Sequence, residues 1–148
     1  MKTQPIPALV RMHKAMGHPV RLRLLGMLRG GPLCVCQMTV VVRLAGSTVS
    51  EHLAELKRAG LVAEKKEGRW VQYRLAESDL TRRLLSSVWE ELEQDPHARA
   101  DAVLLRDLRR VSVEELCGAG LDINRLGSRS LIAAAKRADA LRAAAQDR

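Results

Sequence analysis

Apolar residues recur every three or four positions along most of this chain, so it reads first as a succession of helices. Pro7 opens a helix running to Met16, with Ile6, Leu9, Val10 and Met16 as apolar members and Gly17 as its stop. Pro19 opens the next, with Val20, Leu24, Leu25 and Leu28 at helical spacing, and Gly30-Gly31-Pro32 ends it. From Cys34 to Leu44 the pattern admits two readings. Thr39-Val40-Val41-Val42 is β-branched like a strand, whereas Val35, Met38 and Val42 share one helical face, and the context favours a helix.

Ala45-Gly46 reads as a turn, and Ser47 as the N-cap of a helix stopped at Gly60. Val49, Leu53 and Leu56 form its buried stripe; Ser47, Glu51, Glu55 and Arg58 occupy the opposite arc, flanked by Thr48 and Ser50. Alternation then replaces the helical period. Leu61 to Lys66 and Trp70 to Leu75 read as two strands joined at Glu67-Gly68-Arg69. The helical stripe returns as Leu80, Leu84, Leu85, Val88 and Leu92, until Asp95-Pro96 breaks it before a helix from about His97 to Arg110. Ser112-Val113-Glu114-Glu115 matches a capping box opening a short turn that holds Cys117. The expected division is a domain over residues 1–117 and an Ala- and Arg-rich tail over 118–148, helical from Arg129 or loosely attached.

Composition narrows the class. The 148 residues are 47% hydrophobic with no Phe, two Trp and one Tyr, so the core must be Leu, Val, Ala and Met, which suits packed helices. The net charge of +8 points to a polyanionic partner. No apolar run approaches the roughly 20 residues a spanning helix needs, which argues against a membrane. No apolar leader follows Met1-Lys2-Thr3-Gln4-Pro5, so the expected location is the cytoplasm, where three cysteines should be thiols.

Two helices joined by a tight turn, the second polar outside and followed by a basic hairpin, are the parts of a winged helix-turn-helix. The expected class is mainly α with a two-stranded hairpin wing. Ser47, Thr48, Ser50, Glu51 and His52 lie near the start of the second helix, where side chains reach base edges or phosphates and the amides attract phosphate. Lys57, Arg58, Lys65, Lys66 and Arg69 supply cations for the DNA backbone. The stripe Leu84, Leu85, Val88 and Leu92, with Leu9 of the first helix, would leave too much apolar surface on a monomer and is expected to join two copies. A two-fold dimer would place two reading helices in successive major grooves of a roughly palindromic operator.

Cys34 and Cys36 open the helix that supports the reading helix, where the helix dipole should favour thiolates and lower both pKa values. Their spacing disfavours a mutual disulfide but lets both sulfurs grip one soft ion. Cys117 either completes a three-sulfur site, from the same or the partner subunit, or is a small buried apolar residue. His13, His18, His52 and His97 are scattered, with no partner at ligand spacing.

Several stretches together resemble the ArsR/SmtB family of metal- and metalloid-responsive repressors. They are Met16-Gly17-His18-Pro19-Val20-Arg21-Leu22-Arg23-Leu24-Leu25, Leu33-Cys34-Val35-Cys36, Ser47-Thr48-Val49-Ser50-Glu51-His52-Leu53, and Ala59-Gly60-Leu61-Val62 continuing into Glu67-Gly68-Arg69-Trp70-Val71-Gln72-Tyr73-Arg74-Leu75. The resemblance spans about residues 8 to 117 and implies a homodimeric winged helix that represses transcription until an effector binds. Gly46 and Glu51 depart from it: family members often carry a polar DNA-contacting residue at the first position and Arg at the second. Leu-Cys-Val-Cys looks like the inducer site of arsenic-responsive members, which bind As(III) or Sb(III) through three thiolates. Relatives sensing Cd(II) or Pb(II) add cysteines near the N-terminus, and none precedes Cys34. Zinc-sensing relatives use His and carboxylate pairs on the C-terminal dimer helix, and Leu80–Glu93 has no His.

Within the same fold, a thiol redox or persulfide sensor bridging Cys34 or Cys36 to Cys117 is the nearest rival. A small thiol oxidoreductase would need a C-x-x-C motif near a βαβ pattern, and the sequence has neither. Without a His–carboxylate constellation or a Gly-rich phosphate loop, no enzyme is expected.

Overall fold

The computed structural model describes residues 5–147. Its elements run α1 (Pro5–Met16), α2 (Pro19–Leu28), β1 (Leu33–Cys34), α3 (Val35–Val42), α4 (Gly46–Arg58), β2 (Val62–Glu67), β3 (Trp70–Leu75), α5 (Asp79–Gln94), α6 (Pro96–Leu108), α7 (Val113–Gly118), a 3-10 turn (Ile123–Leu126) and α8 (Arg129–Gln146).

Local chemistry sets most boundaries. The His18 ring accepts the Val20 amide at 3.1 Å, capping α2 behind Pro19. Ser78, Asp95, Ser112 and Ser128 each accept an amide from the first turn of α5, α6, α7 and α8 respectively. Leu61 donates to Leu56 O and Gly60 to Lys57 O across a left-handed Gly60 (φ +80°), so α4 ends in a Schellman closure.

Two boundaries differ from the sequence expectation. The supporting helix is Val35–Val42, and Cys34 precedes it as N-cap, its amide donating to Gln37 Oε1 at 2.8 Å. Arg43, at φ 58°, turns the chain sharply enough that α4 starts at Gly46 behind Ala45. Ser47 is therefore inside the helix, and its exposed hydroxyl is not consumed by capping.

The hairpin gains a third strand. β1 pairs antiparallel with β3, Leu33 opposite Tyr73 and Cys34 opposite Gln72, giving the order β1-β3-β2. Leu24, Leu25, Leu33, Met38, Leu53, Leu56 and Leu61, all fully buried, pack α2, α3, α4 and the sheet into one core. Leu85, grouped in the sequence with partner-facing residues, belongs to this core at 1% exposure.

Residues beyond 118 are helical from Arg129, and α8 lies along α6. Ala134, Ala135 and Ala138 let the two backbones approach while Leu131 fills the seam. A buried carboxylate fixes the arrangement: Asp101 of α6 receives Arg23 of α2 through two hydrogen bonds of 2.8 Å and Arg142 of α8 at 3.2 Å. Arg142 also donates to Val41 O of α3 at 3.1 Å. The segment expected to be helical from Arg129 or loosely attached is a helix seated on α6, where alanines at helical spacing supply a flat apolar face that the sequence alone leaves without a partner.

Candidate DNA-reading face and thiol pocket

On α4, Ser47, Ser50, Glu51, Lys57 and Arg58 are exposed, while Thr48 and His52 are half-buried. The hairpin carries Lys65, Lys66 and Arg69 exposed at and near its tip, where Gly68 adopts φ +59°. All ten residues singled out for DNA contact thus lie on α4 or the wing with polar atoms available. Three of the cations hold acids of their own: Lys57–Glu64 at 2.6 Å, Lys65–Glu67 at 3.2 Å, and Arg58 with Glu55. These pairs are exposed and individually weak, so phosphate can displace them. Lys66 and Arg69 have no ion pair among the described residues.

His52 was read from sequence as one of four scattered histidines, yet its ring lies 4.4 Å from that of His18. Arg21 Nε donates to His52 Nδ1 at 3.2 Å, which leaves Nε2 as the protonated nitrogen of the neutral ring. Burial lowers the His52 pKa, and the charges of His18 and Arg21 lower it further against Glu51. The helical register of α4 against the start of α2 makes this contact; spacing along the chain gives no sign of it.

The three cysteines converge within one chain. Cys34 is buried, Cys36 and Cys117 are half-buried, and α3 packs on α7. The Cys36 and Cys117 side chains are neighbours close enough to perturb each other's ionisation, and Cys34 is near enough to interact electrostatically with both. Among the described residues, no three His, Cys, Asp or Glu side chains already stand at metal-holding spacing, so the sulfurs are neighbours that have not closed on a common point.

The expected lowering of the thiol pKa values is reversed. Burial pushes Cys36 up to about 12, with the neighbouring Cys117 adding to it. Burial also raises Cys34, followed by Cys117 and Glu114. Loss of hydration and mutual repulsion of thiolates outweigh the dipole of an eight-residue helix. At neutral pH Cys34 and Cys36 are therefore protonated thiols.

One contact missed from sequence joins pocket and wing. Trp70 Nε1, at the first residue of β3, donates to Glu114 Oε1 of α7 at 3.0 Å. Glu114 is held below the usual carboxylate range by its own backbone amide, then by Trp70 and by the charge of Arg69. Leu9, Leu84, Val88 and Leu92 are half-buried, while Ile6 (73%) and Val10 (45%) of α1 are exposed. No helix among the described residues is long and apolar enough to cross a membrane.

Comparison with known proteins agrees with this arrangement. The model of the arsR family of bacterial regulatory proteins matches residues 18–64, from the α2 cap through α4 into β2. The arsenic resistance transcriptional regulator ArsR1 of Pseudomonas putida is 45% identical over 47 residues, which are 32% of this chain and 37% of ArsR1. This chain therefore spans well under half of that relative's length in the match. Among solved structures, HlyU from Vibrio cholerae superposes with a TM-score of 0.57 at 31% identity, covering 63% of this chain and 100% of that one. A homodimeric winged helix-turn-helix DNA-binding domain from Mycobacterium bovis gives a TM-score of 0.55 at 26% identity, over 63% of this chain and 89% of that one.

Proposed function

The chain belongs to the arsR family of bacterial regulatory proteins, and we propose that it is a DNA-binding transcriptional repressor rather than an enzyme, released from its operator by As(III) or Sb(III) captured by Cys34, Cys36 and Cys117. The observation that carries this reading is the meeting of Cys36 and Cys117 across the α3–α7 contact, with Cys34 beside them. Soft sulfur donors select thiophilic ligands.

The protonation state of the pocket favours the metalloid over a divalent cation. A neutral thiol can exchange with a hydroxide of a neutral trihydroxide, its S–H proton leaving with that hydroxide as water, so each S–As bond formed by Cys34 or Cys36 releases no net proton. Capture of Cd(II) or Zn(II) would have to expel protons from thiols whose pKa values are raised, and that cost grows as pH falls. Sulfur bridging of Cys36 to Cys117 is the second reading, favoured by the same contact; it requires an oxidant or polysulfide.

The repressor reads DNA through Ser47, Thr48, Ser50, Glu51 and His52, with Lys57, Arg58, Lys65, Lys66 and Arg69 on phosphates. Glu51 can accept from a cytosine amino group but cannot hold phosphate. Two copies join through Leu9, Leu84, Val88 and Leu92, and Ile6 and Val10 of α1 are exposed apolar residues available to the same association. Such a dimer requires a roughly palindromic operator.

The test is anisotropy of a fluorescent operator titrated with arsenite, antimonite, Cd(II), Zn(II) and a polysulfide. Arsenite is expected to weaken binding by about five- to 150-fold, equivalent to a coupling of about 1–3 kcal/mol. Replacing both Cys34 and Cys36 by Ser should abolish that response. Intact arsenite release from the double variant would refute the assignment, and release by polysulfide alone would favour the bridged form.

A further inference from the structure

Besides Leu116, which is buried in the core, α7 is held at two further side chains, and the proposed ligand site accounts for only one of them. Cys117 meets Cys36 of α3. Glu114, three residues earlier and so on a neighbouring part of the same helical surface, holds Trp70 at 3.0 Å. Trp70 pairs with Glu67 in the last rung before the hairpin turn, so Glu114 grips the tip of the wing. A six-residue helix moves as a unit, and displacement at Cys117 is displacement at Glu114.

The wing is also attached to the pocket through β1, where Cys34 lies opposite Gln72. The two attachments differ in kind. The β1–β3 ladder is made by backbone and anchored by the fully buried Leu33, whereas the tip is held to α7 by a single side-chain hydrogen bond with an exposed acceptor. Immediately after α7 the chain passes through Gly120 (φ +64°) and Leu121 (φ +62°). A left-handed leucine is a strained position held by its surroundings, which makes this junction the natural place for a shift of α7 to be taken up.

Resting on the proposed three-thiol site, we propose that Glu114 is the positioning residue through which that site sets the wing. The sulfurs do not stand at ligating spacing, so closing them on one atom draws α7 against α3. The Trp70–Glu114 bond breaks, and the hairpin tip with Lys66 and Arg69 is left to swing about its Gln72–Cys34 rung. Cations that must be ordered before they meet phosphate bind more weakly than cations already placed.

The experiment uses the full chain, a fluorescent operator and sodium arsenite, with arsenite uptake followed by counting titratable thiols. In the wild type, arsenite should lower operator affinity about tenfold or more and change tryptophan emission. Trp70→Phe should lose the emission change, leaving Trp89 silent. Glu114→Ala should take up arsenite with unchanged stoichiometry, bind DNA more weakly before arsenite is added, and lose less than about threefold further on adding it. Glu114→Gln, which keeps an acceptor for the indole, should behave like the wild type.

Wild-type affinity and full arsenite response in Glu114→Ala would overturn the proposal. Tighter ligand-free binding by both Glu114 variants would also overturn it, because the carboxylate would then act as a repelling charge. Failure of the wild type to take up arsenite would remove the thiol reading, while weaker ligand-free binding by Glu114→Ala would still establish that this residue places the wing.

Discussion

The DNA-reading face and the α6–α8 half are both rich in arginine and acid, and they use charge in opposite ways. On α4 and the wing the pairs are exposed: Lys57 and Glu64 keep 49% and 39% of their side-chain surface, and Lys65 and Glu67 keep more. In the other half Asp101 keeps 2% and receives two arginines from two different helices. The first arrangement is readily given up to an incoming phosphate. The second is architecture, since removing one member leaves desolvated charge behind. A chain with net charge +8 can thus concentrate its usable cations on one face.

The sharpest way to break this contrast is to remove one acid from each region. Asp101→Ala should cost about 3–5 kcal/mol in urea unfolding. Glu64→Ala should leave the urea midpoint essentially unchanged. Equal costs would mean that the buried cluster is not the scaffold described.

The pocket between the two regions gives the next largest effect. With Cys36 raised to about 12, its reaction with iodoacetamide at pH 8 should be about a hundredfold or more slower than that of a free thiol. Because the folded value lies above the unfolded one, the stability this thiol contributes is complete below pH 9 and is lost as pH rises toward 12. Alkylation at the ordinary rate would show that the thiol is ionised and would remove the argument favouring arsenite over divalent cations.

For the wing cations the effects fall on binding and leave folding intact. Lys66→Ala and Arg69→Ala should each flatten the slope of log affinity against log salt by about 0.9, with little change in Tm. The smallest effect belongs to His52. Its pKa is lowered on folding, so the folded state resists protonation, and stability present above the ordinary value of 6.5 is lost as pH falls through the lower folded one. His52→Gln should flatten the stability profile below pH 6.5 and leave it unchanged above. An unchanged acid limb would show that burial and the neighbouring charges of His18 and Arg21 do not oppose protonation of the ring.

How much of this was legible in the sequence depends on how local each feature is. The elements α2, α4 and the hairpin, with the family they resemble, follow from caps, turn residues and period, all decided within a few positions. The thiols were legible as residues, but their protonation was not. A helix start argues for thiolate, and only packing reveals that Cys34 and Cys36 face Leu- and Val-rich surroundings beside a third sulfur. Nothing near Ala134 or Ala138 tells which surface they will meet, because alanine periodicity fits any partner. Trp70 with Glu114, His18 with His52, and Asp101 with Arg142 are separated by 44, 34 and 41 positions, and no motif marks them.

The bond from Arg142 to Val41 O carries a consequence for time. It joins residues 101 positions apart, across the helix-turn-helix that reads DNA. At about 5–20 residues per second of synthesis, the polypeptide holding α3 and α4 exists for about 5–20 s before the residue that braces it has been made. The nascent reading unit must fold first on its own leucine core, with its brace arriving as a late and separate event. A newborn molecule therefore passes through a stage in which its DNA-binding parts are complete in composition and still soft in shape.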